Sequence, residues 1–319
     1  MAEDRPRVLV TGGSSGIGFE LARQFAEGGH DTVIAAQDID KLEQAAELIR
    51  ERAPDVEVMT VAADLTSESG VHLLHREAGR VDILCANAGI GAGGGDFTET
   101  DLKQELELID LNVRGQVHLA KLVVKDMADR GEGRVLFTSS VASIMPGPFE
   151  AVYAASKAFI RSFGEALRNE LSEKGIQVTV FMPGPTETDF FHRANMDETP
   201  AGRAAKDDAA DVAAQAIDAL YAGRHAAVTG SLKIRFQSRV ASLLSDPARA
   251  ALHRRQTEPL DRDEPGQHGM SPAAIGGLFF VGLAAAAGTA AWLQSRHEEG
   301  RQGSRRREPR AEFEVAGKS

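Results

Sequence analysis

The stretch Thr11-Gly12-Gly13-Ser14-Ser15-Gly16-Ile17-Gly18 lies between a short apolar run, Val8–Val10, and a segment with helical periodicity. Glycines in such a loop permit a tight turn and let the backbone approach a pyrophosphate closely. The N–H groups and the positive dipole end of the following helix then meet the phosphate charge. A glycine-rich loop is a weak signal alone, but its position between a strand and a helix indicates a dinucleotide-binding unit.

Outward from this loop, short apolar runs alternate with helical segments as far as about Gly230. The predicted strands are Val8–Val10, Thr32–Ala36, Val56–Ala62, Asp82–Ala86, Arg134–Thr138, Gln177–Phe181 and Ala226–Val228. The predicted helices are Gly16–Ala26, Lys41–Arg52, Asp101–Asp129, Tyr153–Leu171 and Asp208–Leu220. The strands are continuously apolar, which is typical of strands covered on both faces. The pattern therefore predicts an α/β fold, a Rossmann-type doubly wound parallel sheet with helices on both faces.

The composition limits the classes of function. The chain has 319 residues and a formal net charge of −11, which argues against nucleic-acid binding, because that affinity comes from Lys and Arg. The single cysteine, Cys85, cannot form an intrachain disulfide, and we expect it to be a buried, inert thiol. The histidines show no metal-ligand spacing, so no metal is expected. We expect the catalytic domain to lie in a reducing, cytoplasmic compartment.

The C-terminal part differs from the rest of the chain. We predict a catalytic domain over residues 1–256, a polar linker over 257–272, a hydrophobic helix over 273–293 and an Arg/Glu-rich disordered tail over 294–319. A helix of residues 273–293 would be roughly 31 Å long, close to a bilayer's hydrocarbon thickness, and is a candidate membrane anchor. It could instead pack on the domain or on a partner. A spanning helix would put the Arg-rich end outside, against the positive-inside tendency, whereas a helix in the membrane surface would not.

A second motif, Tyr153-Ala154-Ala155-Ser156-Lys157, places a tyrosine and a lysine on one helical face. The ammonium group of Lys157 can stabilise the phenolate of Tyr153, so we expect a lowered Tyr153 pKa. Ser140 lies just past a predicted strand, at the edge of the sheet where open α/β folds bind ligands. Its hydroxyl could hold a substrate oxygen next to the phenol. Taken alone, the Tyr–Lys pair would more simply be an exposed surface pair.

The motifs together resemble the short-chain dehydrogenase/reductase family over roughly residues 5–235. The resemblance rests on the glycine-rich loop, Asn87-Ala88-Gly89 after a strand, Asn112 in a long helix, Ser140, Tyr153 with Lys157, and Pro183-Gly184 followed by Thr188. It implies that Tyr153 is the acid/base and that Ser140 orients the reacting oxygen. It also implies that Lys157 binds the nicotinamide ribose and lowers the Tyr153 pKa, while Asn112 holds a water in a proton relay.

The resemblance implies a cofactor site as well. Its residues would be Thr11, Gly12, Ser14, Ser15, Gly16, Ile17 and Gly18 at the phosphates, Gln37 and Asp38 at the ribose, Asp64 and Leu65 at the adenine, Asn87, Ala88 and Gly89 at the central floor, Tyr153 and Lys157 at the nicotinamide ribose, and Pro183, Gly184 and Thr188 at the carboxamide or phosphates. Ala36 stands where NAD-preferring relatives place an acidic residue. Asp38 would repel a 2′-phosphate, whereas Gln37 could donate to either ribose form. The choice between NAD and NADP stays open.

The substrate and the assembly are less defined. Met145, Pro146, Phe149 and Val152 precede Tyr153, and Phe190, Phe191 and Met196 follow Pro183-Gly184, so an apolar cleft for a lipophilic substrate and simple packing are both open.

We predict an NAD(P)-dependent oxidoreductase that transfers hydride between nicotinamide and a carbonyl or secondary alcohol. The alternative is a non-catalytic NAD(P)-binding sensor or scaffold tethered to a membrane. A sugar-nucleotide epimerase would need a larger C-terminal domain. Relatives pair through the helix over 101–129 and the helix bearing Tyr153, so a homo-oligomer is expected.

Overall fold

The computed structural model describes residues 5–232, 234, 235, 238 and 244–260. The predicted hydrophobic helix and tail, with most of the predicted linker, lie outside these residues. Within the described part of the chain, no helix is both long and apolar enough to cross a bilayer.

Within the described residues, one sheet of seven parallel strands forms the centre of the fold, in the order β3-β2-β1-β4-β5-β6-β7. The strands are β1 Arg7–Thr11, β2 Asp31–Ala36, β3 Val58–Ala62, β4 Ile83–Ala86, β5 Gly133–Thr138, β6 Ile176–Pro183 and β7 Ala226–Thr229. Each predicted strand is present, and the predicted doubly wound α/β fold is confirmed.

Helices connect the strands. They are α1 Gly16–Glu27, α2 Ile39–Arg52, α3 Glu68–Ala78, α4 Leu102–Ile109, α5 Gln116–Arg130, α6 Ala151–Leu171, α7 Phe190–Arg193, α8 Pro200–Arg203, α9 Ala209–Tyr221 and α10 Asp246–Thr257. The single helix predicted over Asp101–Asp129 is wrong in detail, because a π-helical turn at Asp110–Gly115 separates α4 from α5. Helices α3, α7, α8 and α10 were not predicted. The side chain of Ser67 caps α3 by accepting a bond from Gly70 N, a start signal that the sequence carries.

Both faces of the sheet are buried. Leu9 contributes to one core cluster, with residues of α3, α5 and α6, while Val8 and Val10 contribute to the other, with residues of α1, α2 and α9. This division follows from the alternation of side chains along a strand. Cys85 of β4 is fully buried, and burial raises the pKa of its thiol, in agreement with an inert cysteine.

The strand order reverses next to β1, which pairs with β2 on one side and with β4 on the other. Connections therefore leave this point in opposite directions and open a crevice at the carboxyl ends of the strands. All strands are parallel, so the loops after β1, β4, β5 and β6 meet at the same edge. The candidate site residues follow these strands.

Candidate active site

The glycine-rich loop connects β1 to α1 at the crevice. Gly12 and Gly16 have φ angles of +69° and +55°, in the left-handed region that glycine tolerates. A Cβ on Gly18 would lie 2.1 Å from the carbonyl oxygen of Gly12, so the helix packs directly on the loop. Ser15 at the N-cap of α1 makes no side-chain cap hydrogen bond, and the first turn contains no acidic residue. These features fit a pyrophosphate, because the first N–H groups of the helix are left without a side-chain acceptor.

Hydrogen bonds join the ends of strands β1, β4 and β5 beneath this loop. The Thr11 hydroxyl accepts bonds from the N–H groups of Asn87 and Ala88, at 3.0 and 2.9 Å. The Asn87 amide donates to the Thr11 carbonyl at 3.1 Å, and the Thr138 hydroxyl donates to Asn87 Oδ1 at 3.0 Å. The amide and carbonyl groups of the Asn87 side chain are thus both hydrogen-bonded within the fold.

The candidate ribose and adenine residues lie together after β2 and β3. Gln37 Nε2 donates to Asp64 Oδ1 at 2.7 Å. Burial acts to raise the pKa of Asp64, but hydrogen bonds from Thr66 and Gln37 outweigh it, and the pKa is lowered. Asp38 caps α2 by accepting a bond from Lys41 N at 3.2 Å, and its pKa is lowered chiefly by that bond. The Leu65 side chain is buried in the core, so it offers a ligand no side-chain contact.

Ser140, Tyr153 and Lys157 converge beside the ends of β4 and β5. Ser140 follows β5, accepts a bond from Ala142 N at 3.1 Å and is hydrogen-bonded to Tyr153. Tyr153 and Lys157 occupy the first half of α6, with Lys157 Nζ 5.8 Å from the centre of the Tyr153 ring. All three side chains are buried. The structure therefore brings the predicted acid/base, its oxygen-orienting hydroxyl and the lysine into one cluster.

The expected lowering of the Tyr153 pKa is wrong for this structure. Burial raises the pKa of Tyr153, the Glu150 carboxylate raises it further, and the hydrogen bond with Ser140 acts in the opposite direction without reversing the shift. Lys157 donates to the Thr138 carbonyl at 3.2 Å, and burial lowers its own pKa from 10.5 to about 8. The phenol therefore holds its proton in the neutral pH range.

Asn112 lies in the π-helical turn, a feature that often marks functional positions. Its amide accepts a bond from Ile90 N and donates to Ile90 O, both at 2.9 Å, and it also donates to Ser156 Oγ at 3.2 Å. A Cβ on Gly89 would lie 3.0 Å from Asn112 Oδ1 and 3.1 Å from Lys157 Nζ. Asn112 thus fastens the chain after Gly89 to α6, directly beside the lysine.

Apolar side chains cover the outer side of Tyr153. The ring of Phe190 lies 5.1 Å from the Tyr153 ring, and Ile90 and Val152 pack in the same cluster. Thr188 lies on the cofactor side, since a Cβ on Gly16 would lie 2.7 Å from its Cγ2. Thr188 therefore faces the phosphate loop rather than Tyr153, with Pro183 and Gly184 at the end of β6 before it.

Sequence reasoning missed several residues that support the cluster. Thr138 bonds both Asn87 and Lys157, Ser156 bonds Asn112, and Ser139 donates to the Lys157 carbonyl at 2.8 Å. Thr138 and Ser139 directly precede Ser140, and Ser156 directly precedes Lys157, so their positions in the sequence could have indicated a supporting role. Glu150 was also missed, and its buried partner His253 is about a hundred residues away along the chain, where no local signal indicated it.

Comparison with known proteins decides the family. A protein-family model described as short chain dehydrogenase matches residues 6–199. The chain belongs to the short-chain dehydrogenase family. Sulfoacetaldehyde reductase 2 of Chromohalobacter salexigens is 34% identical to this short-chain dehydrogenase over 188 residues, which are 57% of this chain and 73% of that protein.

Solved structures agree with this assignment. A short-chain dehydrogenase from Sphingobium yanoikuyae in complex with NADPH has a TM-score of 0.67 and 29% identity, over 82% of this chain and 99% of its own. The 3-ketoacyl-(acyl-carrier-protein) reductase from Brucella melitensis, complexed with NADH, has a TM-score of 0.61 and 28% identity, over 70% and 95%. The predicted family and enzyme class are confirmed: this short-chain dehydrogenase is an NAD(P)-dependent oxidoreductase, and its cofactor is NAD or NADP.

Proposed function

We propose that this short-chain dehydrogenase transfers hydride between nicotinamide and a carbonyl or secondary alcohol carbon of a lipophilic substrate, with Tyr153 as the acid/base. The observation that carries the proposal is the buried cluster of Ser140, Tyr153 and Lys157 at the carboxyl edge of the sheet. A phenol, a hydroxyl and an ammonium group at one point supply a proton, orientation for an oxygen and a positive charge.

The cofactor, when bound, supplies or accepts the hydride. The loop of residues 11–18 and Thr188 would hold its pyrophosphate, Gln37, Asp38 and Asp64 would hold the adenosine end, and Lys157 would bind the nicotinamide ribose hydroxyls. Backbone from residues 87–89 would line its centre, and Asn112 would hold the relay water. The fit of the glycine-rich loop and the free first turn of α1 support this arrangement.

The proton step is assigned to the Tyr153 hydroxyl. Ser140 would hold the substrate oxygen beside it, and in carbonyl reduction the phenol would give its proton to that oxygen. A phenol whose pKa is raised by burial is protonated at neutral pH, which is the form a general acid requires. Lys157 beside the cluster would stabilise the phenolate that remains.

The apolar residues beside Tyr153 support a lipophilic substrate. Phe190, Ile90 and Val152 pack around the phenol, and Phe191 and Met196 form a further apolar cluster behind Phe190. Such a lining favours a substrate with hydrocarbon next to its carbonyl, because apolar surface on both sides leaves water on association.

The first experiment compares Tyr153→Phe with Tyr221→Phe, since these are the chain's two tyrosines. NADH and NADPH binding are measured first, followed by turnover of a panel of lipophilic carbonyls. We expect Tyr153→Phe to bind the cofactor normally and to lose at least about a hundredfold in kcat. Tyr221 lies on α9 and bonds His30, so Tyr221→Phe should keep parent activity. Turnover that survives in Tyr153→Phe would exclude the proposal, and cofactor binding without any turnover would favour the sensor.

A homo-oligomer is also proposed. Leu102, Leu106 and Ile109 of α4 and Phe159 of α6 are large apolar side chains with 40–65% of their surface exposed. Burying such surface against a second copy is favourable. Sedimentation should give a dimer or tetramer, and Leu106→Glu with Phe159→Glu should shift it to monomer. A parent chain that sediments as a monomer would contradict pairing.

The membrane anchor at residues 273–293 stays a prediction. Its test is flotation with lipid vesicles of the full chain and of a chain that ends at residue 260. We expect only the full chain to float. If both chains float, or neither does, the membrane anchor is excluded, and so is the membrane-tethered sensor.

A further inference from the structure

Helix α10 lies against the segment that connects Ser140 to Tyr153. Arg249 Nη1 donates to the Ile144 carbonyl at 2.7 Å, and the Thr257 hydroxyl donates to the Pro148 carbonyl at 2.8 Å. The guanidinium of Arg254 lies 5.0 Å from the centre of the Phe149 ring. The family match ends at residue 199, so this helix lies outside the part of the chain that it covers.

The contact nearest to Tyr153 is a buried pair. His253 Nε2 lies 2.6 Å from Glu150 Oε1, and each side chain is only 6% exposed. Glu150 is the N-cap residue of α6, three positions before Tyr153, and its carboxylate acts on the phenol through its charge. The pair therefore connects α10 to the first turn of the helix that carries the acid/base.

Among the described residues, the His253 side chain makes one hydrogen bond, to Glu150. Its Nδ1 atom is buried and has no hydrogen-bond partner among the described residues. The Nε2–H group donates to Glu150 whether the ring is neutral or protonated. A buried polar side chain with an unsatisfied atom is unfavourable for stability, and an apolar residue would fill this space better. The bond to Glu150 is thus what distinguishes histidine from leucine at this position.

We propose that His253 is a positioning residue for Tyr153, which acts through Glu150. Its hydrogen bond fixes the Glu150 carboxylate and draws its negative charge away from the phenol, so that α10 sets both the position and the charge around the acid/base. This inference rests on the proposed function, because it assigns the pair to the proton step at Tyr153.

Other groups also face this region, and the test must separate them from the pair. Lys157 of α6 and the hydroxyl of Ser140 after β5 lie beside the phenol, and Phe190 covers it from α7 with an apolar ring. Arg249 and Arg254 on α10 bond or cover the segment before α6. None of these groups is altered by the substitutions below.

The decisive measurement is the ultraviolet absorbance of tyrosinate in a Tyr221→Phe background, where Tyr153 is the one remaining tyrosine. It is recorded by stopped flow immediately after jumps to a series of high pH values, before the chain unfolds. Glu150→Gln keeps the shape of the side chain but removes its charge, so we expect the ionisation midpoint of Tyr153 to fall by about one pH unit. His253→Leu leaves the carboxylate without its donor, so the midpoint should rise. His253→Gln keeps a donor and should restore the parent midpoint.

Turnover gives the second measurement. His253→Leu should lower kcat about tenfold, as expected for one unit of pKa mismatch, and leave the KM of the cofactor unchanged. His253→Gln should recover most of the loss. The matched control is His75→Leu. His75 lies on α3, and its Nε2 atom is 2.7 Å from Asp126 Oδ2 on α5. This variant should change neither the midpoint nor kcat.

The outcomes separate this inference from the proposed function. If Glu150→Gln leaves the midpoint unchanged, or if His253→Leu and His253→Gln act alike, the positioning role is wrong, even where both variants melt earlier. If the midpoint moves but kcat does not, the pair affects Tyr153 without a role in catalysis, and the inference is again overturned. Turnover that persists in Tyr153→Phe overturns the proposed function instead, since the tyrosinate measurement requires no turnover.

Discussion

The cofactor side of the crevice and its substrate side are built in different ways. The cofactor side, residues 11–18, 36–38, 64–65 and 87–89, consists of loops that leave adjacent parallel strands, tied by bonds such as those between Thr11 and Asn87. The substrate side, residues 141–150, 184–203 and 246–257, consists of three segments that are far apart in the chain. Bonds between Thr257 and Pro148 and between Leu260 and Glu198 hold them together.

This difference shows where the fold has freedom. On the proposed cofactor side the sheet register fixes the loops, so a dinucleotide bound there would be held largely by backbone. On the substrate side two non-glycine residues, Phe149 and Asn195, have positive φ angles of 63° and 57°. Such conformations persist where surrounding contacts hold them. Under the proposed function, substrate choice would therefore depend on side-chain contacts that can change without altering the sheet.

The largest effect is expected on the cofactor side, from Gly18→Ala. The new Cβ would lie 2.1 Å from the Gly12 carbonyl oxygen, which is backbone and cannot move without breaking the loop. We expect loss of NADH and NADPH binding and a decrease of about 3 kcal/mol in the free energy of unfolding. Calorimetric titration and chemical denaturation measure both. Gly95→Ala is the control, since its Cβ meets only Thr100 Cγ2 at 3.6 Å. Normal binding of NADH and NADPH by Gly18→Ala would contradict the contrast drawn between the two sides of the crevice.

Lys157→Met tests the residue at which the two sides meet. Burial lowers the Lys157 pKa from 10.5 to about 8, so the unfolded chain binds more protons between these values and the parent becomes more stable as pH rises through this window. At neutral pH the variant should be more stable by about 3 kcal/mol, while its turnover is lost. Denaturation at a series of pH values should show this gain shrinking from about pH 8 and ending near 10.5. A gain independent of pH would contradict the assignment.

Gly91→Ala addresses the substrate side alone. Its Cβ would lie 2.6 Å from Phe190 Cζ and 2.8 Å from Ala194 Cβ, so helix α7 and the residue after it must shift. We expect the KM of the carbonyl substrate to rise about tenfold, roughly 1.4 kcal/mol, with no change in cofactor affinity. Steady-state kinetics with each substrate varied in turn decide this. An equal loss in cofactor affinity would mean that the two sides are not separable.

The smallest effect is expected from Asp38→Asn, which sharpens the choice of cofactor. The amide keeps an oxygen to cap α2 but removes a charge that repels a 2′-phosphate, while Lys41 Nζ remains 3.5 Å from where the carboxylate lies. The affinity for NADPH relative to NADH should increase about fivefold, since solvent screens the repulsion between one exposed carboxylate and a 2′-phosphate. Asp40→Asn, in the first turn of the same helix, should leave the ratio unchanged. No change in Asp38→Asn would place the ribose elsewhere.

The sequence predicted the elements whose signals are local. All seven predicted strands and the position of Ser140 follow from apolar runs and from the rule that parallel strands end at one edge. The grouping of Ser140 with Tyr153 and Lys157 was expected from helical spacing and from the family resemblance. The π-helical turn that carries Asn112 was not predicted, because its hydrogen bonds differ from those of an α-helix without a distinct side-chain pattern.

Predictions that depended on the burial of side chains by distant segments were less accurate. The Tyr153 pKa was expected to fall because Lys157 shares its helical face, yet burial and Glu150 raise it. Helical spacing gives the neighbours within one helix and says nothing of the desolvation that other segments impose. For the apolar residues before Tyr153 the sequence leaves a substrate cleft and simple packing both open, and in the structure the Phe149 ring packs under Arg254 of α10.

The sequence by itself determined the sheet and the glycine-rich loop, because both follow from neighbouring residues and from continuously apolar runs that alternate with helical segments. Only the tertiary structure decided the environment of Tyr153. Glu150 is brought against His253, and α10 against the segment before α6, by packing over about a hundred residues of chain. Burial and charge act through space, so the protonation of the phenol depends on neighbours that its own segment does not contain.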